Sequence, residues 1–355
     1  MTLPAQISIL QADGTGALAT KKVPMPKLRD GYVLIRTTAV GLNPIDWKQL
    51  QQGTELGSKF GYDYAGIVEE IGPGVSKPFK KGDRIAGLAN GGNGSEPEDG
   101  AYGEYSVVKA GLAFRIPENI SDEEAAGLGV GIVTAAQGLY QSLKLPLPTH
   151  PASGPQSVLI YGGSTPTGIL AIQLAKLSGL AVVTTSSAAN MDYIRSFGPD
   201  AVFEYANADK CASDIRDFTA GHLRHALDCV STPETARLCA RALASEMETY
   251  YSALLRLPPE VVTSVNPKIQ PAYTAAYTAF GEEITKWGRL IPAKLEDYEF
   301  AVMLLELVPH LLQEGKLKPV QPLVNQGGNG LVGVLKGLED LKAGKVRAAK
   351  LIYTL

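Results

Sequence analysis

Hydrophobic and polar residues alternate over short runs in the first third of the chain, which is typical of half-buried β-strands. The clearest runs are Tyr32–Thr38, Tyr64–Ile71 and Tyr102–Val108, and turns rich in glycine and proline separate them. The longest of these turns, Gly91–Gly100, is polar, so we expect a surface loop there. The pattern predicts a β-rich region that extends to about Pro117.

The periodicity changes from strand-like to helix-like near Ser121. Ser121 and Glu124 have the spacing of a capping box, which predicts the start of a helix. Thr134–Leu143 continues with helical spacing. The segment that follows, Leu145–Pro155, is rich in proline and is predicted to be a linker loop.

Short apolar runs alternate with helical patterns from Ser157 onward. The predicted strands are Ser157–Tyr161, Ala181–Thr185, Ala201–Tyr205, His225–Val230 and Thr249–Leu254. The predicted helices between them are Gly168–Ser178, Asn190–Phe197 and Thr235–Ala244. This alternation predicts an α/β protein with a doubly wound parallel sheet that is covered on both faces. The tail, Leu331–Leu355, predicts a helix and a last strand at Ala349–Tyr353.

Length and charge narrow the class of protein. With 355 residues the chain exceeds the roughly 250–300 at which a single core stops growing, so two lobes are expected. Lys and Arg number 33 against 36 Asp and Glu, without the basic patch of a nucleic-acid-binding protein. No apolar run approaches the ~20 residues of a membrane helix, and Met1–Leu10 lacks the features of a signal peptide. We expect a cytoplasmic protein that binds neither nucleic acid nor membrane.

The cysteines and histidines do not form a metal-binding pattern. Cys211, Cys229 and Cys239 share no Cys-x-x-Cys spacing, and their odd number argues against a disulfide framework. Free, buried thiols are therefore expected. The four histidines also lack the spacing of metal ligands, so no metal site is predicted.

The most informative segment, Val158–Gly168, joins the predicted strand at Ser157–Tyr161 to a helix. Gly162 and Gly163 allow a tight turn and a close approach of the backbone to a ligand, and Gly168 allows close packing of helix and strand. Backbone N–H groups at the helix N-terminus suit a pyrophosphate. The segment predicts a dinucleotide-binding turn, although it departs from Gly-x-Gly-x-x-Gly. A glycine-rich turn in an unrelated α/β protein is the alternative.

The end of the next strand indicates which nicotinamide cofactor is bound. Sites for NAD usually carry Asp or Glu about 20 residues after the glycines, where the acid binds the ribose hydroxyls. The corresponding run, Thr184–Asn190, contains no acid that would repel a 2′-phosphate. Ser186, Ser187 and Asn190 could donate hydrogen bonds to that phosphate, and so NADPH is predicted in preference to NADH. Arg195 follows in the next predicted helix.

Several segments resemble known enzymes. Four segments resemble the catalytic lobe of medium-chain dehydrogenase/reductases: Gly41–Asp46, Gly61–Val68, Lys81–Arg84 and Gly100–Tyr105. A narrower resemblance, to the trans-acting enoyl reductases that serve fungal polyketide synthases, covers essentially the whole chain. It is carried by Asn43–Lys48, Tyr161–Gly168, Phe203–Tyr205, Tyr277–Glu282 and Glu314–Pro319.

The resemblance implies a domain organisation. A β-rich, GroES-like catalytic domain would comprise residues 1–125 and 303–355, and a Rossmann dinucleotide-binding domain residues 126–302. Within the latter, an insert near 255–292 would line the substrate site. Its aromatic residues could form a wall for a long acyl chain, since such pockets are lined by apolar groups, or could be ordinary core packing.

The resemblance also indicates the zinc-free branch of the superfamily. Zinc enzymes of this type carry an early cysteine, a Gly-His-Glu segment and a four-cysteine lobe. Here that segment is Gly61-Tyr62-Asp63, and the first half of the chain contains no cysteine. Zinc would therefore lack its preferred ligands there. The zinc-free branch reduces activated carbon–carbon double bonds.

Individual residues acquire expected roles through the same resemblance. Contacts to the nicotinamide are expected from Ile45, Asp46, Trp47, Lys48, Val346 and Arg347. Contacts to the pyrophosphate are expected from Ser164, Thr165, Pro166 and Thr167. Contacts to the adenosine phosphate are expected from Ser187, Ala188, Ala189 and Asn190, and a contact to the adenine ribose from Tyr205. Substrate contacts are expected from Gly129, Val130, Gly131, Ile132, Val133, Thr134, Ala135 and Ala136, and from Gly281, Glu282, Glu283, Ile284 and Thr285.

The implied reaction is the conjugate reduction of an enoyl thioester by NADPH. Hydride goes to the β-carbon, negative charge develops on the carbonyl oxygen, and the α-carbon takes a proton. Lys48 is the candidate donor to that oxygen, Asp46 an orienting residue, and Thr134 a donor to substrate or cofactor. A solvated Lys48 and a surface Thr134 are the alternatives, and the sequence does not identify the proton donor.

The expected partner is a polyketide synthase that presents the substrate on its acyl carrier protein. Many relatives dimerise through a strand that would lie after Leu254. We expect a monomer, because proline cannot donate to a strand ladder and this region contains Pro258, Pro259, Pro267 and Pro271. The alternative is a pairing strand that begins after this proline-rich insert. A stand-alone quinone or alkenal reductase and a catalytically idle subunit of a synthase complex are the alternative functions.

Overall fold

The computed structural model describes residues 3–355. Over these residues the strands, numbered β1 to β17 in chain order, are Gln6–Ala12, Leu18–Pro24, Tyr32–Gly41, Asp63–Ile71, Arg84–Leu88, Tyr105–Lys109, Ala113–Arg115, Ser157–Tyr161, Ala181–Ser186, Ala201–Glu204, His225–Asp228, Thr249–Ala253, Ile269–Tyr273, Ile284–Lys286, Arg289–Ile291, Pro322–Val324 and Lys350–Thr354. The α-helices, numbered α1 to α10, are Pro44–Gln52, Asp122–Ala125, Gly129–Ala136, Pro166–Leu177, Met191–Arg195, Ala208–Phe218, Pro233–Ala242, Glu260–Thr263, Leu295–Gln313 and Gly330–Lys342. A π-helical turn, Gln137–Ser142, follows α3, and 3₁₀ turns occur at Ala110–Leu112, Ala188–Asn190 and Ala276–Phe280.

The described residues form two compact units. Unit 1 comprises residues 3–130, 277–315 and 319–355, and unit 2 comprises residues 131–276 and 316–318. The predicted domain boundary at 302 falls inside α9, and the predicted insert near 255–292 is divided between the two units at residue 276. The domain limits that the sequence suggested remain a prediction.

Unit 2 contains a six-stranded sheet in the order β10-β9-β8-β11-β12-β13. Every neighbouring pair in this sheet is parallel, as the alternation of strands and helices predicted. The strand order reverses between β8 and β11, and in open parallel sheets ligands bind at the carboxyl ends of the strands at such a point. The predicted α/β fold class is confirmed.

Unit 1 contains a seven-stranded sheet with the order β16-β17-β3-β4-β5-β7, in which β6 also pairs with β3. All of its pairs are antiparallel except β16 with β17. Buried aliphatic and aromatic residues of β3, β4 and β17 pack with Val334 and Leu338 of α10 to form its core. This is the predicted β-rich, GroES-like domain.

The surface loop predicted at Gly91–Gly100 is confirmed as a loop, but it is exposed only at residues 95–98. The glycines and Asn93 at its start and Asp99 near its end are buried, and only its middle is exposed. Asn93 Nδ2 donates to Asp99 Oδ2 at 3.0 Å, and Arg29 forms an ion pair with Asp99. A segment without large apolar side chains can thus be buried when its polar groups pair with one another.

Four helices of the described residues were not predicted from the sequence: α1, α6, α9 and the single turn α8. α1 begins with an N-cap asparagine followed by proline, which is a start signal that was available. α6 buries Cys211, Ala212 and Ile215 on one face, and α9 is the longest helix among the described residues. No helix in the described part of the chain is long and apolar enough to span a membrane.

Candidate active site

Three glycines shape the turn between β8 and α4 in unit 2. Gly162 has a φ of +79°, which favours glycine. A Cβ at Gly163 would lie 2.1 Å from Thr184 Oγ1, and a Cβ at Gly168 would lie 2.2 Å from the carbonyl oxygen of Gly162. Glycine is therefore required at these positions, and the backbone of the turn is open to close approach by a ligand.

The N-terminus of α4 leaves amides free for an anion. Thr165 caps the helix, because its Oγ1 accepts a 3.0 Å hydrogen bond from the Gly168 N–H, and Pro166 has no N–H. The amides of Ser164 and Thr167 donate to no acceptor among the described residues. Free amides and the positive end of the helix dipole fit a pyrophosphate.

The turn after β9 carries the residues predicted to meet the adenosine phosphate. Asn190 Nδ2 donates to Ser187 Oγ at 3.2 Å, and Ala188 and Ala189 lie between them in a 3₁₀ turn. Arg195 forms a 2.6 Å ion pair with Asp192 instead. Glu204, to which the sequence pattern assigned no role, is an exposed acid at the end of β10 and pairs in register with Ser186.

Tyr205 lies beside the glycine turn, as a residue at the adenine ribose should. It directly follows β10, and its N–H donates to the Ser186 carbonyl oxygen at 3.4 Å. Its ring centroid is 6.2 Å from that of Tyr161, the residue that precedes Gly162. The structure thus brings the predicted pyrophosphate, phosphate and adenine segments together at the carboxyl ends of β8, β9 and β10.

Helix α1 in unit 1 presents the segment predicted to face the nicotinamide. Its capping box pairs the Asn43 N–H with Asp46 Oδ2 at 2.7 Å, which fixes the first turn. Ile45 and Lys48 are three residues apart, share a side of the helix, and are both partly exposed. The Lys48 ammonium lies 5.6 Å from the Trp47 ring and has no hydrogen-bonding or ion-pair partner among the described residues.

Asp46 is fully buried on the opposite side of α1. Burial raises the pKa of its carboxyl to about 7. Asp46 Oδ1 lies near the Tyr102 hydroxyl, although neither atom has a partner within hydrogen-bonding distance among the described residues. The position agrees with an orienting residue, since a buried side chain in a capping box holds the helix rather than contacting solvent.

A buried ion pair connects three segments of unit 1. Lys350 Nζ donates to Asp63 Oδ2 at 2.7 Å and to Asn43 Oδ1 at 2.6 Å. Asn43 Nδ2 donates to Asp63 Oδ2 at 2.9 Å, and the Val130 N–H donates to Asp63 Oδ1 at 2.6 Å. Asp63 therefore links the N-cap of α1, the first turn of α3 and β17. Lys350 carries no sequence signal that would have predicted this role.

A second buried lysine, Lys286, lies at the end of β14. Its Nζ donates to the Tyr62 hydroxyl at 2.7 Å and to the Gly91 carbonyl oxygen at 2.8 Å. Tyr62 in turn donates to Gln49 Oε1, and Gln49 Nε2 donates to the Gly92 carbonyl oxygen at 2.7 Å. This chain ties α1 to the β14–β15 hairpin, and no sequence signal indicated it.

The predicted substrate residues lie in two places. Gly129–Ala136 forms α3, in which Thr134 is only 8% exposed, so the alternative of a surface threonine is wrong. Of Gly281–Thr285, Glu282 pairs with Lys109 and accepts from the Tyr32 hydroxyl at 2.8 Å. The Thr285 N–H donates to Asn93 Oδ1 at 3.2 Å, and Ile284 is buried. The substrate role of these residues remains a prediction.

The C-terminal residues Val346 and Arg347 lie between α10 and β17. Val346 packs against the core of unit 1, whereas Arg347 is exposed. The three cysteines are free and buried, as predicted. Over residues 3–355, no group of three or more His, Cys, Asp or Glu side chains could hold a metal ion.

Two families match parts of the chain. Residues 29–118 match the family described as Alcohol dehydrogenase GroES-like domain, and residues 166–272 match the family described as Zinc-binding dehydrogenase. A solved structure described as a putative zinc-dependent alcohol dehydrogenase from Rhizobium etli superposes with a TM-score of 0.80 at 20% identity, over 99% of this chain and 98% of that one. Fold and nucleotide-binding turn together define an oxidoreductase of the medium-chain dehydrogenase/reductase type.

Curated relatives narrow the family. The trans-enoyl reductase resD of Aspergillus sclerotiorum is 42% identical over 98% of this chain and 99% of its own length. The trans-enoyl reductase TOXD of Cochliobolus carbonum is 49% identical over 74% of this chain and 86% of its own. The chain belongs to the trans-enoyl reductases of the medium-chain dehydrogenase/reductase superfamily. The family implies a nicotinamide cofactor, which fits the free amides at the N-terminus of α4.

Proposed function

We propose that this protein uses NADPH to reduce the α,β-double bond of an enoyl thioester that a polyketide synthase presents on its acyl carrier protein. The observation that carries the proposal is the 42% identity, over 98% of the chain, to a trans-enoyl reductase. The word "trans" in that name describes a reductase that is separate from the enzyme it serves. A reductase that serves a synthase in this way receives its substrate from that synthase.

The proposed preference for NADPH is supported by the turn after β9 in unit 2. The turn after β9 contains Ser187 and Asn190 and no acid, so a 2′-phosphate meets hydroxyl and amide donors. Asn190 and Ser187 already bond to each other, and this pairing orients both side chains before the phosphate arrives. Glu204 pairs in register with Ser186, but it ends the third strand of the βαβ repeat rather than the second.

In the proposed reduction, a side chain of α1 stabilises the negative charge that develops on the substrate. A bound NADPH supplies the hydride for the β-carbon of the enoyl group. The Lys48 ammonium, which has no partner among the described residues, donates to the carbonyl oxygen as negative charge develops there. Burial lowers the pKa of Lys48, so its proton is more readily shared with an oxyanion. Asp46 keeps the first turn of α1 in place beneath it.

We also propose that the chain acts as a monomer. β13 forms one edge of the unit 2 sheet, and Lys268 O and Thr274 N bond to β12. Because backbone groups alternate in direction along a strand, Pro271 faces the free edge. That edge therefore lacks a donor at its centre, which opposes strand pairing with a second copy.

The test is NADPH oxidation with a panel of substrates. Enoyl groups on a carrier protein, the same groups on a small thiol, free alkenals and quinones are compared by kcat/KM. We expect the carrier-bound thioester to react fastest, and NADPH deuterated at the transferred position to place one deuterium on the β-carbon. A faster reaction with quinone would assign a quinone reductase, and cofactor binding without turnover would assign an idle subunit.

A further inference from the structure

The reduction consumes one proton for each hydride, and Lys48 and Asp46 do not account for its source. Two other titratable side chains lie buried beside α1 in unit 1. Lys286 is 1% exposed and Tyr62 is 2% exposed, and their hydrogen bond of 2.7 Å links the ammonium to the phenol oxygen. The Lys286 ammonium also lies 4.8 Å from the centre of the Tyr62 ring.

The partners of Lys286 are neutral, which is unusual for a buried charge. They are a phenol and the Gly91 carbonyl oxygen, whereas buried lysines are normally paired with an acid, as Lys350 is with Asp63. Burial without an anionic partner lowers the pKa of Lys286 to about 7. The group can therefore both hold and release a proton near neutral pH.

The backbone next to Lys286 is strained. Trp287 and Gly288 form the two-residue turn between β14 and β15, with φ values of +55° and +65°. A bulky residue rarely adopts a positive φ, because its Cβ then crowds the backbone. Such strain is tolerated where the surrounding structure requires one geometry, and here it accompanies the inward orientation of Lys286.

We propose that Tyr62 and Lys286 form the proton-donating pair of the reduction. The Tyr62 O–H gives its proton to the α-carbon of the enolate, which forms the new C–H bond, and the tyrosine oxygen takes a proton from the Lys286 ammonium. The neutral amine of Lys286 is then reprotonated from water. The sum is one hydride from the cofactor and one proton from solvent added across the double bond. Gln49 Oε1 accepts a hydrogen bond from the Tyr62 hydroxyl in the resting arrangement and thereby orients the phenol.

The proposal rests on the proposed function and deepens it. The titratable groups that face the pair are Asp46 from α1, Asp99 and Tyr102 from the segment before β6, and Tyr277 from the 3₁₀ turn before β14. The two carboxylates favour the charged form of Lys286, while burial opposes it. Because Asp46 also titrates near pH 7, a pH profile alone cannot distinguish it from Lys286, and variants are required.

The experiment compares wild type, Lys286→Met and Tyr62→Phe in enoyl thioester reduction between pH 5.5 and 9. In wild type, kcat should fall as pH rises through about 7, because the ammonium loses its proton. Both variants should lower kcat by about 10²-fold, the usual contribution of a general acid, with KM for NADPH nearly unchanged. Lys286→Met should also remove the fall in kcat that is due to Lys286.

Lys59→Met is the matched control. Lys59 is 2% exposed, donates to neutral partners, Tyr105 O and Ser106 Oγ, and burial lowers the pKa of its ammonium to about 7 as well. It lies outside the proposed pair, so its variant should keep the wild-type pH profile. An equal loss in Lys59→Met and Lys286→Met would show that both act only through folding, and would overturn the proposal.

The stereochemistry of protonation is a readout that a purely structural role would not change. With an α-methyl enoyl thioester, wild type should protonate one face of the α-carbon, whereas Tyr62→Phe should give a mixture as water replaces the phenol. Tyr62→Phe removes only one oxygen, so it decides the question even if Lys286→Met does not fold. Retention of rate and of facial selectivity in Tyr62→Phe would overturn the pair alone. A wild-type protein without thioester reductase activity would overturn the proposed function as well.

Discussion

Lys350 and Asp63 form an ion pair of 2.7 Å in which the side chains are only 3% and 0% exposed. Two charges of this kind are expensive to desolvate, and they are kept here by additional hydrogen bonds to Asn43 and Val130. The pair thereby fixes the starts of α1 and α3, the two helices to which we assign the nicotinamide and substrate contacts. The ion pair therefore positions these two helices in addition to any contribution it makes to stability.

Lys350→Met should destabilise the protein by about 3–5 kcal/mol, because it leaves the Asp63 carboxylate buried without its cation. Urea unfolding monitored by circular dichroism measures the loss. The control is Lys345→Met, which removes an exposed ion pair with Asp340 and should cost about 0–1 kcal/mol. Similar midpoints for the two variants would show that the buried pair contributes little.

Ser187→Asp should weaken NADPH use by about tenfold or more, because a carboxylate beside the 2′-phosphate repels it. The value of kcat/KM for NADH should change much less. Ser196→Asp introduces the same charge at an exposed position beyond α5 and serves as the control. If wild type prefers NADH, or if both cofactors lose equally in Ser187→Asp, the assignment of this turn to the phosphate is wrong.

Lys48→Ala should lower kcat by about 10²-fold while the Kd for NADPH changes little, because the ammonium is assigned to the developing oxyanion. Lys21→Ala, on the exposed strand β2, is the control. Kinetics and cofactor titration on the same preparations separate the two effects. An unchanged kcat with weaker NADPH binding would make Lys48 a cofactor contact only.

Light scattering should give the mass of a single 37.6 kDa chain across a concentration series. Pro271→Val restores a backbone donor on the free edge of β13 and should increase self-association. Gln270→Val, whose backbone bonds to β12 instead, adds a similar side chain without changing the free edge. A species of twice the chain mass in dilute wild-type protein would contradict the proposal of a monomer.

His225 should make the folded state sensitive to acid. Burial, with help from Arg224, lowers the pKa of His225 in the folded protein to about 4, from about 6.5 in the unfolded chain. The unfolded state therefore binds a proton first as pH falls, and stability present above pH 6.5 is lost between 6.5 and 4. The loss is on the order of 3 kcal/mol. His225→Phe, which preserves the stacking on Tyr250, should lose less stability between pH 7 and 4.5 than wild type does. Equal losses would refute this role.

The pattern of the chain was enough to predict five of the six strands of the parallel sheet and the glycine turn after the first of them; the edge strand β13 was not predicted. Strands such as Ser157–Tyr161 are short, apolar and bounded by turn residues, and Gly162, Gly163 and Gly168 are required by contacts within a single turn. These are local properties, so they can be recognised without knowing the rest of the fold. The same information was present for α1 and α6, where an N-cap and a buried face mark helices that were overlooked.

The hydrogen bonds of the two buried lysines in unit 1, Lys286 and Lys350, were decided only by the tertiary structure. Lys286 meets Tyr62 across 224 positions of sequence, and Lys350 meets Asp63 across 287. The hydrophobic periodicity of the sequence cannot predict these two contacts. They depend on the register of β3, β4 and β17 and on where the hairpin after Tyr277 packs. Burial converts these ordinary lysines into groups with special properties, since the cost of an ionised side chain depends on the dielectric and the partners around it. That environment exists only once the sheets have assembled.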